Sequence, residues 1–228
     1  MTQTPNVALS PPPNVAGLTV GVLGGTGDQG RGLAYRLAVQ GQRVIIGSRV
    51  AARAMAAATE IGFGVRGAVN AECAGQSDIV IVAVPWDGHA DLLRALAPEL
   101  SGKTVIDCVN PLGFDKEGAF ALAVPEGSAT QQAAALLPDS AVAGAFHHVS
   151  AVTLLDADVV EMDLDVLVLG DDRATTDLTM ALVNRIPGMR GVYAGRLRNA
   201  HQIESLTANL ISVNRRYRAH AGIRLTGV

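Results

Sequence analysis

The chain has 228 residues, of which 49% are hydrophobic and 17% charged, and its formal net charge is −3. These values are typical of a soluble globular protein that forms one large domain or two small ones. A charge so close to neutral gives no indication of a nucleic-acid or membrane partner, and no apolar run reaches the length of a membrane span.

Residues 1–16 include three consecutive prolines and lack the basic start and apolar centre of a signal peptide. They predict a disordered tail on a cytoplasmic protein. Cys73 and Cys108 are too few for a disulfide framework and have no metal-ligand spacing. We therefore expect two buried thiols in a reducing compartment and no metal site.

The first predicted strand, Leu18–Leu23, runs directly into a glycine-rich turn with the spacing G-x-G-x-x-G. In dinucleotide-binding proteins the first glycine permits the tight turn, the second lets the backbone approach a pyrophosphate, and the third lets helix and strand pack closely. A helical pattern over 28–40 follows at once, and this context favours a dinucleotide site over a purely structural turn. The predicted cofactor-binding residues of the turn are Gly25, Thr26, Gly27, Asp28, Gln29 and Gly30.

The second predicted strand, Arg43–Gly47, ends in Ser48 and Arg49 instead of the acid that would bind the ribose 2′-hydroxyl of NAD. A hydroxyl and a guanidinium bind a 2′-phosphate through charge-assisted hydrogen bonds, and Arg53 lies one helical turn further on. In the alternative interpretation Ser48 caps the next helix and Arg49 is solvated. The missing acid favours NADP.

Strands and helices alternate regularly through the first two-thirds of the chain. The predicted strands are Leu18–Leu23, Arg43–Gly47, Val65–Val69, Asp78–Ala83, Thr104–Asp107 and Ala141–Ala145, and the predicted helices cover 28–40, 50–60, 87–98 and 128–137. Short apolar strands separated by helices predict an α/β fold, a Rossmann-type doubly wound and mainly parallel sheet, over residues 17–149. Ligands of such sheets bind beyond the carboxyl ends of the strands.

The end of the fourth strand has two interpretations. Ala83, Val84, Pro85 and Trp86 either line the cofactor pocket, or Pro85 ends the strand and Trp86 packs over its edge. Both remain open from the sequence.

The fifth and sixth strands end in further polar residues. Asn110 either caps a turn or binds a ribose or carboxamide, and the turn is favoured. His147 and His148 directly follow the sixth strand, where the nicotinamide is expected. A histidine pair at this place favours a site role for one of them over a purely structural one.

After residue 150 the pattern changes. A short strand, Val166–Leu169, leads to helices over 173–184 and 197–220, which predicts a small C-terminal α+β domain over residues 150–228. The last helix carries an apolar stripe that faces either the first domain or a symmetry mate. The stripe consists of Ile203, Leu206, Leu210, Val213 and Tyr217.

Charge is distributed unevenly over this C-terminal region. Eight arginines stand against one acid from Asn184 onward, whereas residues 156–177 carry eight acids and one arginine. Such segments are usually two solvated faces, and the alternative is a basic end that meets an anionic ligand or a partner subunit. No Tyr-x-x-x-Lys dyad is present, so short-chain dehydrogenase chemistry is not expected.

The combination of Gly24–Gly30 with Gly47-Ser48-Arg49 and Val84-Pro85-Trp86 resembles the NADP-dependent oxidoreductases of coenzyme F420, the 8-hydroxy-5-deazaflavin. Ile203–Thr207 and Ala219–Ile223 are similar to that family's C-terminal helix and end, so the resemblance spans about residues 18–228. It implies reversible hydride transfer between C4 of the nicotinamide of NADP(H) and C5 of the deazaflavin, in a homodimer.

The resemblance also implies roles for residues of the glycine turn and the second strand. Thr26, Ser48, Arg49 and Arg53 hold NADP, with Ser48 and Arg49 on the 2′-phosphate. The family commonly has Asn at the position of Asp28. An acid beside a pyrophosphate is unfavourable, so Asp28 is expected to cap the helix.

On the deazaflavin side, the resemblance places Phe146–Val149 beside the ring, with Val149 at its apolar floor. His147 is then a positioning or proton-relay residue. The far wall comes from Ala221–Leu225, close to a dimer partner.

Two other functions share parts of this pattern. An NADPH-dependent reductase of a small imine or keto acid has the same glycine turn and Ser-Arg pair, but it predicts a larger helical C-terminal domain with a dedicated acid such as Lys. A non-catalytic NADP sensor binds the nucleotide and passes no hydride to any acceptor. The matching C-terminal segment favours the deazaflavin oxidoreductase over both.

Overall fold

The computed structural model describes residues 12–228. Residues 1–11, most of the predicted disordered tail, lie outside the described residues. Within the rest of that tail Val15 is buried, and its carbonyl accepts a hydrogen bond from the side-chain amide of Gln42 at 3.0 Å. Packing therefore begins before residue 17.

Over the described residues the chain forms ten β-strands and eight α-helices. The strands are β1 (Thr19–Leu23), β2 (Arg43–Ser48), β3 (Arg66–Val69), β4 (Ile79–Val82), β5 (Thr104–Asp107), β6 (Leu112–Asp115), β7 (Gly118–Ala121), β8 (Ala141–Gly144), β9 (Leu164–Gly170) and β10 (Met189–Gly195). The helices are α1 (Asp28–Val39), α2 (Ala51–Ile61), α3 (Asn70–Gly75), α4 (His89–Leu100), α5 (Ala129–Leu136), α6 (Ala151–Leu155), α7 (Arg173–Val183) and α8 (Ala200–Tyr217).

Eight of these strands form one sheet in the order β10-β9-β8-β5-β4-β1-β2-β3. From β3 to β8 every neighbour is parallel and the order is that of a Rossmann fold, which confirms the predicted fold class. β9 then pairs antiparallel with β8, and β10 pairs parallel with β9. The strands of residues 150–228 thus extend the same sheet, and the proposed domain boundary at residue 150 falls between two of its neighbouring strands.

Helices cover both faces of the sheet and, over residues 12–228, enclose two large cores and a small one of Leu169, Leu197 and Ala200. One large core contains residues of α1, α2, α6 and α7, and the other contains residues of α3, α4 and α5. Alternate residues of β4 point to opposite faces of the sheet, so that Ile79 and Ile81 lie in the first core and Val80 and Val82 in the second. A strand buried on both faces is a continuous apolar run, which is why the sequence located it.

The sequence pattern missed α3, α6, β10 and the antiparallel hairpin of β6 and β7. The hairpin packs on α8 and leaves Phe114 and Phe120 exposed, so its apolar residues mark no buried face. β10 is an edge strand that contains two glycines and is mostly half-buried, and it gives no apolar run.

Helix α8 is followed by residues 218–228, which we call the C-terminal strap. The backbone N–H of Asp165 donates to the carbonyl of Ile223 at 2.7 Å, so the strap lies against the start of β9. Because β9 is antiparallel to β8, its first residues lie at the edge where the parallel strands end. The strap is therefore on the same edge of the sheet as the glycine turn.

The predicted apolar stripe of α8 is partly buried in its first half and exposed in its second. Ile203, Leu206 and Leu210 are half-buried, whereas Val213 is 36% and Tyr217 73% exposed. None of the helices in the described part of the chain is long and apolar enough to cross a membrane.

Candidate functional site

A cavity of about 820 Å³ opens at the carboxyl ends of the parallel strands. It is bounded by the loops that follow β1, β2, β3 and β4, and eight of its lining residues belong to the predicted cofactor site. The lining residues are Gly24, Thr26, Gly27, Ser48, Arg49, Val50, Arg53, Asn70, Ala83, Val84, Pro85, Asp87, Gly88, Asp91 and Leu92.

The three glycines of the turn have different surroundings. A Cβ on Gly25 would lie 2.5 Å from Cβ of Ile46, and a Cβ on Gly30 would lie 2.6 Å from the carbonyl oxygen of Gly24. A Cβ on Gly27 would meet only that same oxygen, at an ordinary 3.5 Å. Protein packing therefore requires glycine at positions 25 and 30, whereas Gly27 leaves open space at the cavity. This space fits the close approach of a pyrophosphate to the backbone.

Helix α1 presents its N-terminus to the cavity. Its N-cap is Gly27, and no side chain of residues 12–228 caps it, so the prediction that Asp28 caps the helix is wrong. Asp28 is exposed and stands one position later, inside the first turn, where its carboxylate cannot take the N-cap geometry. The N–H groups at this end are left for an anionic ligand.

The end of β2 brings two guanidinium groups and a hydroxyl to the cavity. Ser48 is buried and its hydroxyl accepts a hydrogen bond from the backbone N–H of Val50 at 3.3 Å. Because Val50 is itself the N-cap of α2, the alternative that Ser48 caps this helix is wrong. Arg49 and Arg53 are exposed at the cavity, and within residues 12–228 neither guanidinium group has a hydrogen-bond or salt-bridge partner.

Asn70 lines the same cavity and was missed by the sequence analysis. Its side-chain oxygen is buried without a hydrogen-bond partner among residues 12–228, and a Cβ on Gly47 would lie 2.7 Å from it. Glycine at position 47 thus leaves room for this carboxamide beside Ser48. The available signal was its position, since Asn70 directly follows β3 as Arg49 follows β2.

Of the four predicted residues at the end of β4, three lie in the cavity wall and one packs against the protein core. Ala83, Val84 and Pro85 line the cavity. Trp86 does not, because its ring packs on the core of α4 and lies 5.5 Å from the ring of His89, centroid to centroid. Three residues follow the pocket interpretation and the tryptophan follows the packing one.

A second group of predicted residues meets at the turn that follows β8, residues 146–149, here called the β8 turn. The side-chain nitrogen of Gln29 donates to the carbonyl oxygen of Phe146, the first residue of this turn, at 3.3 Å. The next carbonyl oxygen, that of His147, accepts hydrogen bonds from Asn110 at 2.7 Å and Thr207 at 2.9 Å. The β8 turn is therefore fixed from α1, from the end of β5 and from α8.

The two imidazoles of the β8 turn are buried and do not line the cavity. Nε2 of His148 accepts a hydrogen bond from the backbone N–H of Leu167 at 3.2 Å, so its ring proton is on Nδ1, which has no hydrogen-bond partner in the described part of the chain. Burial, followed by the neighbouring His147, lowers the pKa of His148 to about 4. Both ring nitrogens of His147 are buried and find no hydrogen-bond partner among the described residues, and its Nε2 would lie 2.9 Å from a Cβ on Gly144.

The C-terminal strap lies beside the β8 turn. Nδ1 of His220 is 3.4 Å from the hydroxyl oxygen of Ser150, just past Val149. Ala221 is half-buried and its backbone N–H donates to the side-chain oxygen of Asn214 at 2.7 Å. The structure thus brings the predicted residues 146–149 and 221 to one edge of the sheet.

Asp165 holds the strap in place. Its carboxylate is fully buried and accepts hydrogen bonds from the Arg190 and Arg224 guanidinium groups and from the backbone N–H of Leu225. The hydrogen bonds from Arg190 hold the pKa of this carboxyl well below its usual range.

Both cysteines are buried and free, which confirms the predicted buried thiols. Burial raises the pKa of Cys73 to about 12, so the thiol is protonated. No group of three or more His, Cys, Asp or Glu residues within 12–228 is arranged to hold a metal ion.

Comparisons with known proteins agree with this geometry. A family model described as NADP oxidoreductase, coenzyme F420-dependent, matches residues 19–111. The F420-dependent NADP reductase of Methanothermobacter marburgensis is 39% identical over 223 residues, which cover 92% of this chain and 99% of that protein. The chain belongs to the F420-dependent NADP oxidoreductase family. The resemblance seen in the sequence is thereby confirmed.

Two further matches of the family extend over the whole fold. The F420-dependent NADP reductase of Methanocaldococcus jannaschii is 34% identical over 224 residues, covering 92% of this chain and 99% of that protein. A crystal structure from Arthrobacter sp. FB24, assigned as an F420-dependent NADP-reductase, superposes with a TM-score of 0.78 at 25% identity. The superposition covers 92% of this chain and 100% of the chain in that crystal structure.

Proposed function

We propose that this protein catalyses reversible hydride transfer between NADP(H) and coenzyme F420. The single observation that carries the proposal is the paired arrangement at one sheet edge, where a dinucleotide cavity lies beside the β8 turn and the strap. Family membership supports the same reaction. The nicotinamide supplies a hydride from C4, the deazaflavin accepts it at C5, and one proton goes to a ring nitrogen of the deazaflavin.

NADP occupies the 820 Å³ cavity in this proposal. The N-terminus of α1 and the open backbone at Gly27 bind the pyrophosphate. Arg49, Arg53 and the hydroxyl of Ser48 bind the 2′-phosphate, and Asn70 adds a carboxamide beside them. The absence of an acid at the end of β2 removes the repulsion that would exclude this phosphate.

The deazaflavin ring lies against the β8 turn, with Val149 below it and the strap around Ala221 as its far wall. His147 and Asn110 act as positioning residues, because the side-chain nitrogen of Asn110 donates to the carbonyl of His147 at the turn and neither residue lines the cavity. The task of these residues is to hold two rings at hydride distance and to exclude water. The proton comes from solvent or through His147.

The same placement gives a role to three exposed arginines. Arg215 and Arg216 stand in the last turn of α8, and Arg218 is the first residue of the strap. They attract the anionic tail of the coenzyme. The apparent affinity for F420 should then fall with salt much more than the affinity for a deazaflavin that lacks the tail.

The protein acts as a homodimer in the cytoplasm in this proposal. The second half of α8 exposes Val213 and Tyr217, and the hairpin packed on this helix exposes Phe114 and Phe120. Exposed large apolar side chains of this kind fit an interface between two copies of the chain. Sedimentation equilibrium tests the assembly. Tyr217→Glu together with Phe114→Glu should yield a monomer, and a monomeric parent protein would contradict the dimer.

The decisive experiment is anaerobic mixing of the purified protein with NADPH and oxidised F420, followed by the visible absorption band of the deazaflavin. Fast bleaching with NADPH and slow bleaching with NADH supports both the reaction and the role of Arg49. Tight NADPH binding without bleaching would overturn the reaction. It would favour a reductase of small imines or keto acids, or an NADP sensor.

A further inference from the structure

His89 begins α4 and is fully buried, as is Asp107 at the end of β5. Nε2 of His89 lies 2.6 Å from Oδ2 of Asp107, and Nδ1 lies 3.0 Å from Oε1 of Gln132 in α5. Neither His89 nor Asp107 lines the nucleotide cavity, and the proposed reaction uses neither. Burying an ionisable pair costs desolvation free energy, so the pair points to a specific role.

The hydrogen-bond directions fix the protons on His89. Nε2 of Gln132 lies 3.1 Å from the carboxylate of Glu126, which only accepts, so the amide oxygen of Gln132 faces His89 and Nδ1 must donate. Oδ1 of Asp107 accepts a hydrogen bond from the backbone N–H of Val109 at 2.9 Å, and an ionised carboxylate only accepts. The second ring nitrogen then donates to Oδ2, and both nitrogens carry a proton.

The groups packed around His89 also favour a cation. Asp107 brings negative charge from β5 and Glu204 brings it from α8, while the indole ring of Trp86 lies 5.5 Å away. Burial by itself would lower the pKa of His89. The charge of Asp107 and the hydrogen bonds to Asp107 and Gln132 outweigh it and raise the pKa above its ordinary value.

We propose that His89 is an imidazolium cation in the folded protein and that its ion pair with Asp107 positions the loop from β4 to α4. This loop supplies Pro85, Asp87 and Gly88 to the cavity wall, and His89 follows it directly. His89 is thus a positioning residue for the nucleotide, and this part of the inference rests on the proposed NADP site.

The other end of the ion pair reaches the β8 turn. Asp107 fixes the backbone of Val109, and the next residue, Asn110, donates to the carbonyl of His147. One buried pair therefore connects the wall of the nucleotide cavity with the turn proposed to support the deazaflavin.

The charge state is tested directly on the unmodified protein. Long-range ¹H–¹⁵N correlation spectra show whether each imidazole nitrogen carries a proton, and His89→Gln identifies the resonances of His89. Both nitrogens of His89 should remain protonated from about pH 6 to about pH 8, where ordinary histidines lose a proton. A neutral ring in this range would overturn the proposal, whatever the protein binds.

The positioning role is tested by NADPH titration of His89→Gln and Asp107→Asn, with folding checked by circular dichroism. Each variant should weaken NADPH binding by about tenfold, and the double variant should recover part of the loss because it leaves no unpaired charge. His201→Gln, an exposed change on α8, is the matched control. Unchanged NADPH affinity in a folded His89→Gln variant would overturn the positioning role even if the ring is charged.

Discussion

The two halves of the sheet edge bind their proposed ligands by different means. On the side of β1 to β4, short loops bring backbone groups and single side chains to an open cavity. On the side of β8 and β9, the edge is assembled from segments far apart in sequence, and Asp165 in β9 holds residues 223–225 of the strap. The first half is encoded locally, whereas the second depends on long-range contacts.

The two halves also differ in the charge state of a buried histidine. His89, on the nucleotide side, lies between two oxygen acceptors and is held as a cation. His148, at the β8 turn, accepts a backbone hydrogen bond and is held neutral. The same residue type thus serves opposite charge states, which are set by what packs around each ring.

The largest effect is expected from Arg49 in the locally encoded half. Arg49→Glu replaces an attraction for the 2′-phosphate with a repulsion and supplies the acid that binds a ribose 2′-hydroxyl. The ratio of NADPH to NADH affinity should fall about 1000-fold, which corresponds to about 4 kcal/mol. Isothermal titration with both nucleotides measures this ratio.

Arg173→Ala is the matched control for that change, because Arg173 is exposed and lies outside the nucleotide cavity. It should leave both affinities unaltered. If Arg49→Glu keeps its preference for NADPH, the 2′-phosphate does not lie at the end of β2.

The success of sequence reasoning differs between the two halves for a physical reason. β1, β2, β4, β5 and β8 are buried on both faces and give apolar runs. The glycine at 30 is required by a contact within the same turn, and the glycine at 25 by a contact with Ile46 of the neighbouring strand. Eight of the fifteen cavity-lining residues were predicted from these local signals. Asn70 was missed because an asparagine that follows a short strand is also an ordinary turn residue.

The second half could not be derived in the same way. The strap is held by Asp165, whose partners Arg190 and Arg224 are 25 and 59 residues away along the chain. No periodicity or spacing links such residues. Only the family resemblance indicated that Ala221 belongs near the β8 turn, and the roles of the deazaflavin residues remain predictions.

The neutral state of His148 predicts a loss of stability in acid. Its folded pKa of about 4 lies below its unfolded value, so the unfolded chain binds the extra proton between about pH 6.5 and pH 4. Stability should fall by about 3 kcal/mol as the pH decreases through this range. Urea unfolding at a series of pH values measures it.

His148→Gln keeps an acceptor for the N–H of Leu167 and cannot be protonated, so its profile should be flatter. His201→Gln, at an exposed site, should retain the parent profile. His89 acts in the opposite direction, since its contribution is complete below about pH 6.5 and is lost as the pH rises through its raised folded pKa. If the stability of His148→Gln still falls steeply in acid, groups other than His148 cause the fall.

A smaller and more selective effect is expected from Asp165→Asn. The neutral amide loses the charge-assisted hydrogen bonds from Arg190 and Arg224 and releases the strap. Affinity for F420 should fall about tenfold while NADPH affinity is unchanged. Hydrogen exchange of the amide of Leu225 should increase in parallel.

Asp163→Asn is the control for this change, because Asp163 pairs with the same Arg224 but its side chain is 83% exposed. It should alter neither affinity measurably, since exposed pairs contribute little. An unchanged F420 affinity in Asp165→Asn, despite faster exchange in the strap, would separate the strap from the deazaflavin site.

The smallest expected effect is that of His147→Ala. A side chain that relayed the proton would cost about 100-fold or more in turnover when removed. The imidazole of His147 is buried and lies outside the cavity wall, while its backbone carbonyl holds the β8 turn through Asn110 and Thr207. Truncation to alanine keeps that carbonyl, so steady-state kinetics should show only about a threefold loss toward F420 and unchanged NADPH binding. A loss near 100-fold would assign the proton relay to His147, and wholly unchanged kinetics would remove its side chain from the site.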